Sequence, residues 1–343
     1  MNKVMTFGMD LAKEVIHVVG FDSLKREVVK KALRRKGVES FFVNRPQCNI
    51  AMEACSGAHE WARRLQAQGH RVVLIPPRFA KAFLDGNKND YNDARAIAEA
   101  SWSPRLRPAP IKTREQQGRQ AIHRFRRARI EQRTALCNQL RGLMAEYGIV
   151  LPRGVSTLRR QLPSLLEDAE NNLGILDREI LASGYQQLQQ LDAQIEHFTR
   201  LIEEQSRNDE KLQALQTIPG FGPIVATAFQ GHVGDGQGFR RGRDVSASLG
   251  IVPAQHSTGG KARLLGISKR GDRYVRHLLI HGARSVIWQA GKKDDALSRW
   301  IQRLVATRGV NKATVALANK LARVGWAILR YDTVYDPSKP ITA

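Results

Sequence analysis

Residues 4–9 and 15–21 are two β-rich runs separated by a short turn, and residues 26–33 form a third candidate strand. Three successive runs of this kind predict an antiparallel meander. The pattern then lengthens to a helical period at 38–43, returns to a strand at 49–54, gives a second helix at 59–68, and ends in the apolar strand 71–75, which Pro76 and Pro77 stop. Strands and helices interleaved in this order predict a mixed α/β sheet over roughly the first hundred residues.

Farther along, helical periodicity takes over. Between residues 114 and 141 there are eight arginines and two glutamates, with Ile122, Phe125, Ile130 and Leu136 at spacings that suit one buried helical stripe. This predicts a basic helix. Arginine at this density, in place of lysine, favours phosphate contact through Arg124, Arg126, Arg127 and Arg129. From about 176 to 210, Leu181, Leu188, Leu191, Ile195, Phe198 and Ile202 mark a heptad-like seam in polar sequence. A coiled-coil hairpin or a dimer arm satisfies such a seam, and Gly184 within it suits an intramolecular helical pair equally well.

Charge sharpens the picture. The 343 residues carry 55 Lys and Arg against 32 Asp and Glu, a formal net charge of +23. A self-repelling surface of that size usually meets a polyanion, so nucleic acid is the leading partner, ahead of an anionic membrane surface. Residues 239–343 hold twenty Lys and Arg, six Asp and no Glu, which makes the last third the more basic part. The first ten residues reach an aspartate before any long apolar run, so neither a signal peptide nor a membrane span is expected and the reading places the chain in the cytoplasm. Cys48, Cys55 and Cys137 lack zinc-ligand spacing and are read as reduced packing residues.

Two acids are anomalous where they stand. Asp10 closes the first strand in Phe7-Gly8-Met9-Asp10, and Glu53 interrupts the apolar run Ile50-Ala51-Met52-Glu53-Ala54. A buried strand carries a charge only when the charge is paired or binds a metal. Lys88-Asn89-Asp90-Tyr91-Asn92-Asp93 opens a helix, and acids three apart project from one face of a helical turn. Singly, Asp90 reads as a helix N-cap, Asp93 as a first-turn acid and Asp10 as a turn residue. Together, four carboxylates of this kind suit Mg²⁺, a hard cation that takes oxygen ligands.

A second group of residues has phosphate chemistry. Ile218-Pro219-Gly220-Phe221-Gly222-Pro223 reads as a glycine turn entering a helix, either a backbone-phosphate grip or an ordinary helical corner. The segment His256-Ser257-Thr258-Gly259-Gly260-Lys261-Ala262-Arg263, followed by Ser268-Lys269-Arg270-Gly271, combines hydroxyls, paired glycines and spaced bases. A loop that handles phosphate needs these: close backbone approach, an attacking oxygen and charge neutralisation. Ser268 reads as a helix cap, and Lys261, Arg263, Lys269, Arg270, Arg273 and Arg276 read as phosphate contacts.

Gly8-Met9-Asp10-Leu11-Ala12-Lys13, Met52-Glu53-Ala54 and Asn89-Asp90-Tyr91-Asn92-Asp93-Ala94-Arg95 resemble, in order and spacing, the motifs of the DEDD transposases of bacterial insertion sequences. That family is related to the pilin-gene invertases and includes recombinases guided by a bridge RNA. The resemblance implies an α/β RNase H-like (RuvC-like) amino-terminal domain, a helical coiled-coil middle and a mostly α-helical carboxy-terminal transposase domain. The corresponding boundaries are 1–155, 156–212 and 213–343. It further implies that Asp10, Glu53, Asp90 and Asp93 hold the catalytic Mg²⁺ and that a serine nucleophile precedes the Ser268-Lys269-Arg270-Gly271 segment. Counting back from that segment selects Ser257, with Thr258 in the neighbouring register.

The expected partners are donor and target DNA, a noncoding RNA from the element, and further copies of the chain in a dimer to tetramer. Within such an assembly the acids of one protomer would work with the serine of another. Two other functions fit parts of the same sequence: a hydrolytic junction resolvase in which water attacks, and a non-enzymatic nucleic-acid-binding protein whose acids are structural.

Overall fold

The structure is a computed structural model that describes residues 5–87, 89–259, 261 and 263–338. Val4, Lys88, Gly260 and Ala262, each part of a segment read above, lie outside the described residues. Two compact units divide the chain, 1–113 and 114–343. The division falls ahead of the basic helix instead of at 155, because that helix packs on later helices.

The first unit contains β1 (Thr6–Leu11), β2 (Val15–Phe21), β3 (Glu27–Arg34), α1 (Val38–Val43), β4 (Asn49–Glu53), α2 (Ala58–Ala67), β5 (Arg71–Ile75), α3 (Pro77–Ala80) and α4 (Asp90–Ser101). Its sheet order is β3-β2-β1-β4-β5. The first three strands form the expected antiparallel meander, and β4 and β5 run parallel to β1. Period-two alternation assigns the faces. Phe7, Met9, Ile50 and Met52 pack with Val38 and Phe42 of α1 and with Trp61 and Leu65 of α2. On the opposite side, Ala51 and Ile75 meet Ile97 and Ala100 of α4, while Val19 and Phe21 meet Ala94 and Ala98.

Gly8 sets the distance between sheet and helix. A Cβ there would lie 1.9 Å from the backbone oxygen of Ala94, so α4 rests directly on the β1 backbone. Gly8→Val should therefore destabilise the protein by about 3 kcal/mol in urea unfolding, since the blocking atom belongs to backbone and cannot rotate aside. It should also weaken any cation binding one turn away, at the amino end of α4.

The strand ends differ from the sequence reading in a way that matters. β1 continues to Leu11, which puts Asp10 inside the strand, and β4 stops at Glu53, which puts this acid at a strand end instead of mid-strand. Beyond Glu53 the chain turns at Gly57, whose φ of +85° is left-handed, and enters α2.

The second unit is mostly helical: α5 (Arg114–Glu146), α6 (Val155–Glu167), α7 (Ile175–Arg207), α8 (Glu210–Gln216), α9 (Pro223–Val233), α10 (Gly242–Ser248), α11 (Arg273–Ala290), α12 (Ala296–Arg308) and α13 (Val310–Tyr331). Leu181, Leu188 and Leu191 of α7 pack with Leu136, Leu140 and Met144 of α5, so the apolar seam is covered within the chain. Gly184 makes room for Leu140, whose Cδ2 would stand 2.4 Å from a Cβ at that position.

The α5 stripe is in part the expected one, with Leu136 buried and Ile122 and Ile130 half-buried. Phe125 is exposed, and the buried positions are His123, Leu136, Cys137, Leu140 and Met144. His123 is held by Thr227 of α9 and Tyr274 of α11, at 2.9 and 3.0 Å. Burial and the nearby Arg126 push its pKa down to about 4, so it is a neutral packing residue.

A structure the loop reading lacked is a hairpin of β6 (Pro253–Gln255) and β7 (Leu264–Ile267). It projects the serine segment from the helical core. Thr258 and Lys261 bridge across its tip, where Gly259 takes a left-handed φ of +57°.

Candidate active site

Three acids meet above the carboxyl ends of β1 and β4, where open α/β sheets commonly place ligands. Oxygens of Asp10, Asp90 and Asp93 all lie within 4.8 Å of one another. The local causes are visible in the sequence. Asn89 caps α4 by accepting from the Tyr91 amide, at 2.9 Å. The N-cap role read for Asp90 therefore belongs to its neighbour, and Asp90 and Asp93 occupy the first helical turn.

Glu53 lies outside that close set, but its charge is felt there. Burial and then Asp93 hold its carboxyl above the usual range. Asp10 is the most perturbed acid: burial first, then Asp93 and Asp90, raise its pKa to about 6, against the favourable charge of His17 and with Glu53 adding to the rise. Cys55, half-buried just beyond Glu53, has its thiol pushed up by burial and by Glu53 and Asp10.

The sequence reading missed His17. It pairs with Asp10 across the β1–β2 ladder, and its Nδ1 is 3.4 Å from the Asp90 carboxylate. A detectable signal existed: Leu11 pairs with Ile16 across the short turn, which puts residue 17 opposite residue 10 on the same sheet face. Tyr91 stacks edgewise on His17 with ring centroids 4.7 Å apart, and Lys30 of β3 lies over Tyr91 at 4.5 Å. Arg95 ties α4 to the meander through Glu27, at 2.8 Å.

Crowded like charges with hard oxygen donors are what a divalent cation relieves, so the residues present fit such a cation. Without the cation, a carboxyl raised from 3.8 to about 6 binds its proton more tightly folded than unfolded. The contribution of Asp10 to stability is then present at low pH and is lost as pH rises through about 6. In chelator, Asp10→Asn should gain thermal stability relative to wild type as pH increases from 4 to 7, with the difference levelling off above that range. A difference independent of pH would mean that neither burial nor the neighbouring acids raise the Asp10 carboxyl in the folded protein.

In the second unit, Ser257 is exposed on the hairpin. Its Oγ accepts from Gln255 Nε2 at 2.8 Å and from the Arg263 amide at 3.2 Å. Two donors aimed at one hydroxyl oxygen stabilise negative charge on it. The adjacent Ser268-Lys269-Arg270-Gly271 turn is welded to α10. A Cβ on Gly271 would lie 1.7 Å from the Ser248 oxygen, and the Ser268 amide donates to the Val252 oxygen at 2.8 Å.

Ser268 is not the cap of the following helix. Asp272 is, accepting from the Tyr274 and Val275 amides. Burial would raise the Asp272 pKa, but the His232 hydrogen bond and these amides outweigh it and hold the carboxyl at about 2.

The basic candidates divide by surroundings. Lys261, Arg263, Lys269, Arg270 and Arg273 are exposed around the hairpin and the start of α11, and Arg124 is exposed on α5. Arg276 donates to the Leu249 oxygen at 2.7 Å and to the Arg270 oxygen at 3.2 Å. On α5, Arg126 donates to Thr199 at 2.8 Å, Arg127 pairs with Glu131 at 2.7 Å, and Arg129 donates to Gln132 at 2.6 Å. The Gly220 turn packs against α11, with a Gly220 Cβ falling 2.7 Å from the Gly282 oxygen, which favours a helical corner built for close approach.

Comparison with known proteins identifies the family. A family model of the DEDD IS110 type, described as a transposase, matches residues 7–149, and one described as "Transposase IS116/IS110/IS902 family" matches residues 212–299. A "Probable family 20 transposase" of Pseudomonas aeruginosa is 45% identical over 331 residues, covering 96% of this chain and 98% of that protein. The "Transposase for insertion sequence element IS1111A" of Coxiella burnetii is 38% identical, over 98% of this chain and 92% of that one. The "Transposase for insertion sequence element IS1328" of Yersinia enterocolitica is 36% identical, over 98% and 99%. With matching profiles over both the acid-bearing and the serine-bearing segments and similarity along nearly its whole length, the chain belongs to the IS110-type DEDD family of insertion-sequence transposases.

Proposed function

We propose that this transposase cuts and rejoins DNA by Mg²⁺-assisted transesterification, with Ser257 as nucleophile. The observation that carries the cation half of the proposal is the convergence of Asp10, Asp90 and Asp93 within 4.8 Å beside a mixed sheet of order β3-β2-β1-β4-β5. Asp10, Asp90 and Asp93 would hold the cation, with Glu53 as the fourth acid. Bound there, Mg²⁺ supplies positive charge that polarises a phosphoryl oxygen and stabilises charge developing in an in-line displacement.

The chain's own residues supply the rest. Gln255 and the Arg263 amide orient the Ser257 Oγ and favour its charged form. Attack forms an Oγ–phosphorus bond, the bond from phosphorus to one deoxyribose oxygen breaks, the serine proton is released to solvent, and the departing oxygen takes up a proton. Attack by a new deoxyribose hydroxyl reverses these steps and frees the serine. The phosphodiester energy is kept throughout, so no nucleotide cofactor is consumed. Lys261, Arg263, Lys269, Arg270 and Arg273 would neutralise the backbone near the serine.

By this reading the active assembly is a dimer to tetramer acting in the cytoplasm, with an RNA from the element selecting donor and target. The decisive experiment combines the protein, labelled DNA spanning an element end, that RNA and Mg²⁺, followed by denaturing electrophoresis. A protein–DNA adduct that survives denaturant is the expected result. Cleaved DNA carrying no protein would assign the attack to water and make the enzyme a hydrolytic resolvase.

A further inference from the structure

Helix α11 has two faces. Val275, Leu279, Ala283 and Ala290 are buried in the helical core. On the other side Arg273, His277, His281, Arg284 and Trp288 are all exposed, spaced four, four, three and four residues apart so that they line one face. Exposed Lys292 continues the line past the helix end.

Trp288 is 76% exposed, whereas Trp61 and Trp326 are buried at 5% and 8%. The His277 and His281 rings lie 4.3 Å apart. Burial, His281 and then Arg127 of α5, Arg273 and Arg284 hold the His277 pKa below its ordinary value, so the groups acting on this stretch are cations and a histidine. The stripe thus carries exposed cations at Arg273, Arg284 and Lys292, with the exposed Trp288 indole between the last two.

We propose that this stripe binds an unpaired stretch of DNA, with Trp288 stacking on a base and Arg273 and Arg284 holding the phosphates that flank it. The proposal rests on the reading of the chain as a DNA strand-exchange enzyme, because cutting and rejoining strands frees bases from the duplex. Arginines alone would suit any phosphate backbone. An exposed indole gains nothing from a duplex, whose base faces are already stacked, but gains substantially from a base that has lost its neighbour. From Arg273 to Trp288 the helix rises about 22 Å, enough to follow several nucleotides.

The test measures binding of the full chain to a short oligo(dT), an oligo(U) of equal length and a DNA duplex, for wild type, Trp288→Ala and Trp288→Phe. Trp288→Ala should weaken oligo(dT) binding by about ten-fold, Trp288→Phe should keep most of it, and duplex binding should stay unchanged. Tryptophan fluorescence quenched by oligo(dT) in wild type should lose most of its amplitude in Trp288→Ala. Unaltered oligo(dT) binding, or an equal loss on duplex, overturns the proposal. A loss confined to oligo(U) also overturns it and assigns the stripe to RNA. Divalent-dependent cleavage, followed in the same preparations, depends on the carboxylates, so failure of the stripe and failure of the proposed mechanism are told apart.

Discussion

Asp10→Asn should lower divalent-dependent cleavage of element-end DNA by roughly a thousand-fold, the equivalent of about 4 kcal/mol of lost transition-state stabilisation. Asparagine keeps the size of the side chain and its hydrogen-bonding capacity, so β1 and its pairing with His17 should survive. What disappears is one negative charge of the acid cluster, that of the carboxyl whose pKa is raised to about 6 by burial first and then by Asp93 and Asp90. DNA binding should persist, since the exposed arginines and lysines of the second unit are untouched. Titration with Mn²⁺ or Mg²⁺, followed by thermal unfolding, should show a smaller upward shift in Tm than in wild type. Cleavage at the wild-type rate with cation present would remove the carboxylate half of the mechanism.

Ser257→Ala should abolish the denaturant-resistant protein–DNA adduct while leaving the thermal response to divalent cations intact. The side chain is exposed, so deleting its oxygen opens no cavity in the core, and the losses are two accepted hydrogen bonds on a surface hairpin. Thr258→Ala separates the two registers. Thr258 sits exposed at the hairpin tip in a bridge with Lys261, and its replacement should leave the adduct in place. An adduct lost in Thr258→Ala and retained in Ser257→Ala would move the nucleophile by one residue. Strand cleavage that persists in both variants would replace serine attack with attack by water.

Much of this architecture was legible before any coordinates. The meander, the α/β alternation after it and the basic helix from Arg114 emerged close to where predicted, because the residue pattern of each segment suits one kind of element. The α7 seam was legible as a seam, but its partner was not: covering apolar residues with a neighbour helix or a second copy satisfies the same pattern, and only the packing of Leu181, Leu188 and Leu191 on α5 distinguishes them. Phe125 illustrates the limit in reverse. Its spacing from Ile122 and Ile130 matched a stripe, yet the helix turns His123 inward, because the Thr227 hydroxyl and Tyr274 offer hydrogen bonds to a buried imidazole.

By itself, the sequence determined the types of element and the charge that points to nucleic acid, and it singled out the candidate acids and the candidate serine, since these are properties of residues and of their spacing along one segment. Tertiary structure alone decided which of them meet. Gly8 brings α4 against β1, strand pairing puts His17 beside Asp10 and Asp90, and the close acid cluster contains Asp10, Asp90 and Asp93 with Glu53 acting from a greater distance. The reason is physical: local periodicity states which side of an element seeks burial, whereas distances between groups far apart in sequence depend on backbone contacts, such as glycine against helix, that no local pattern encodes.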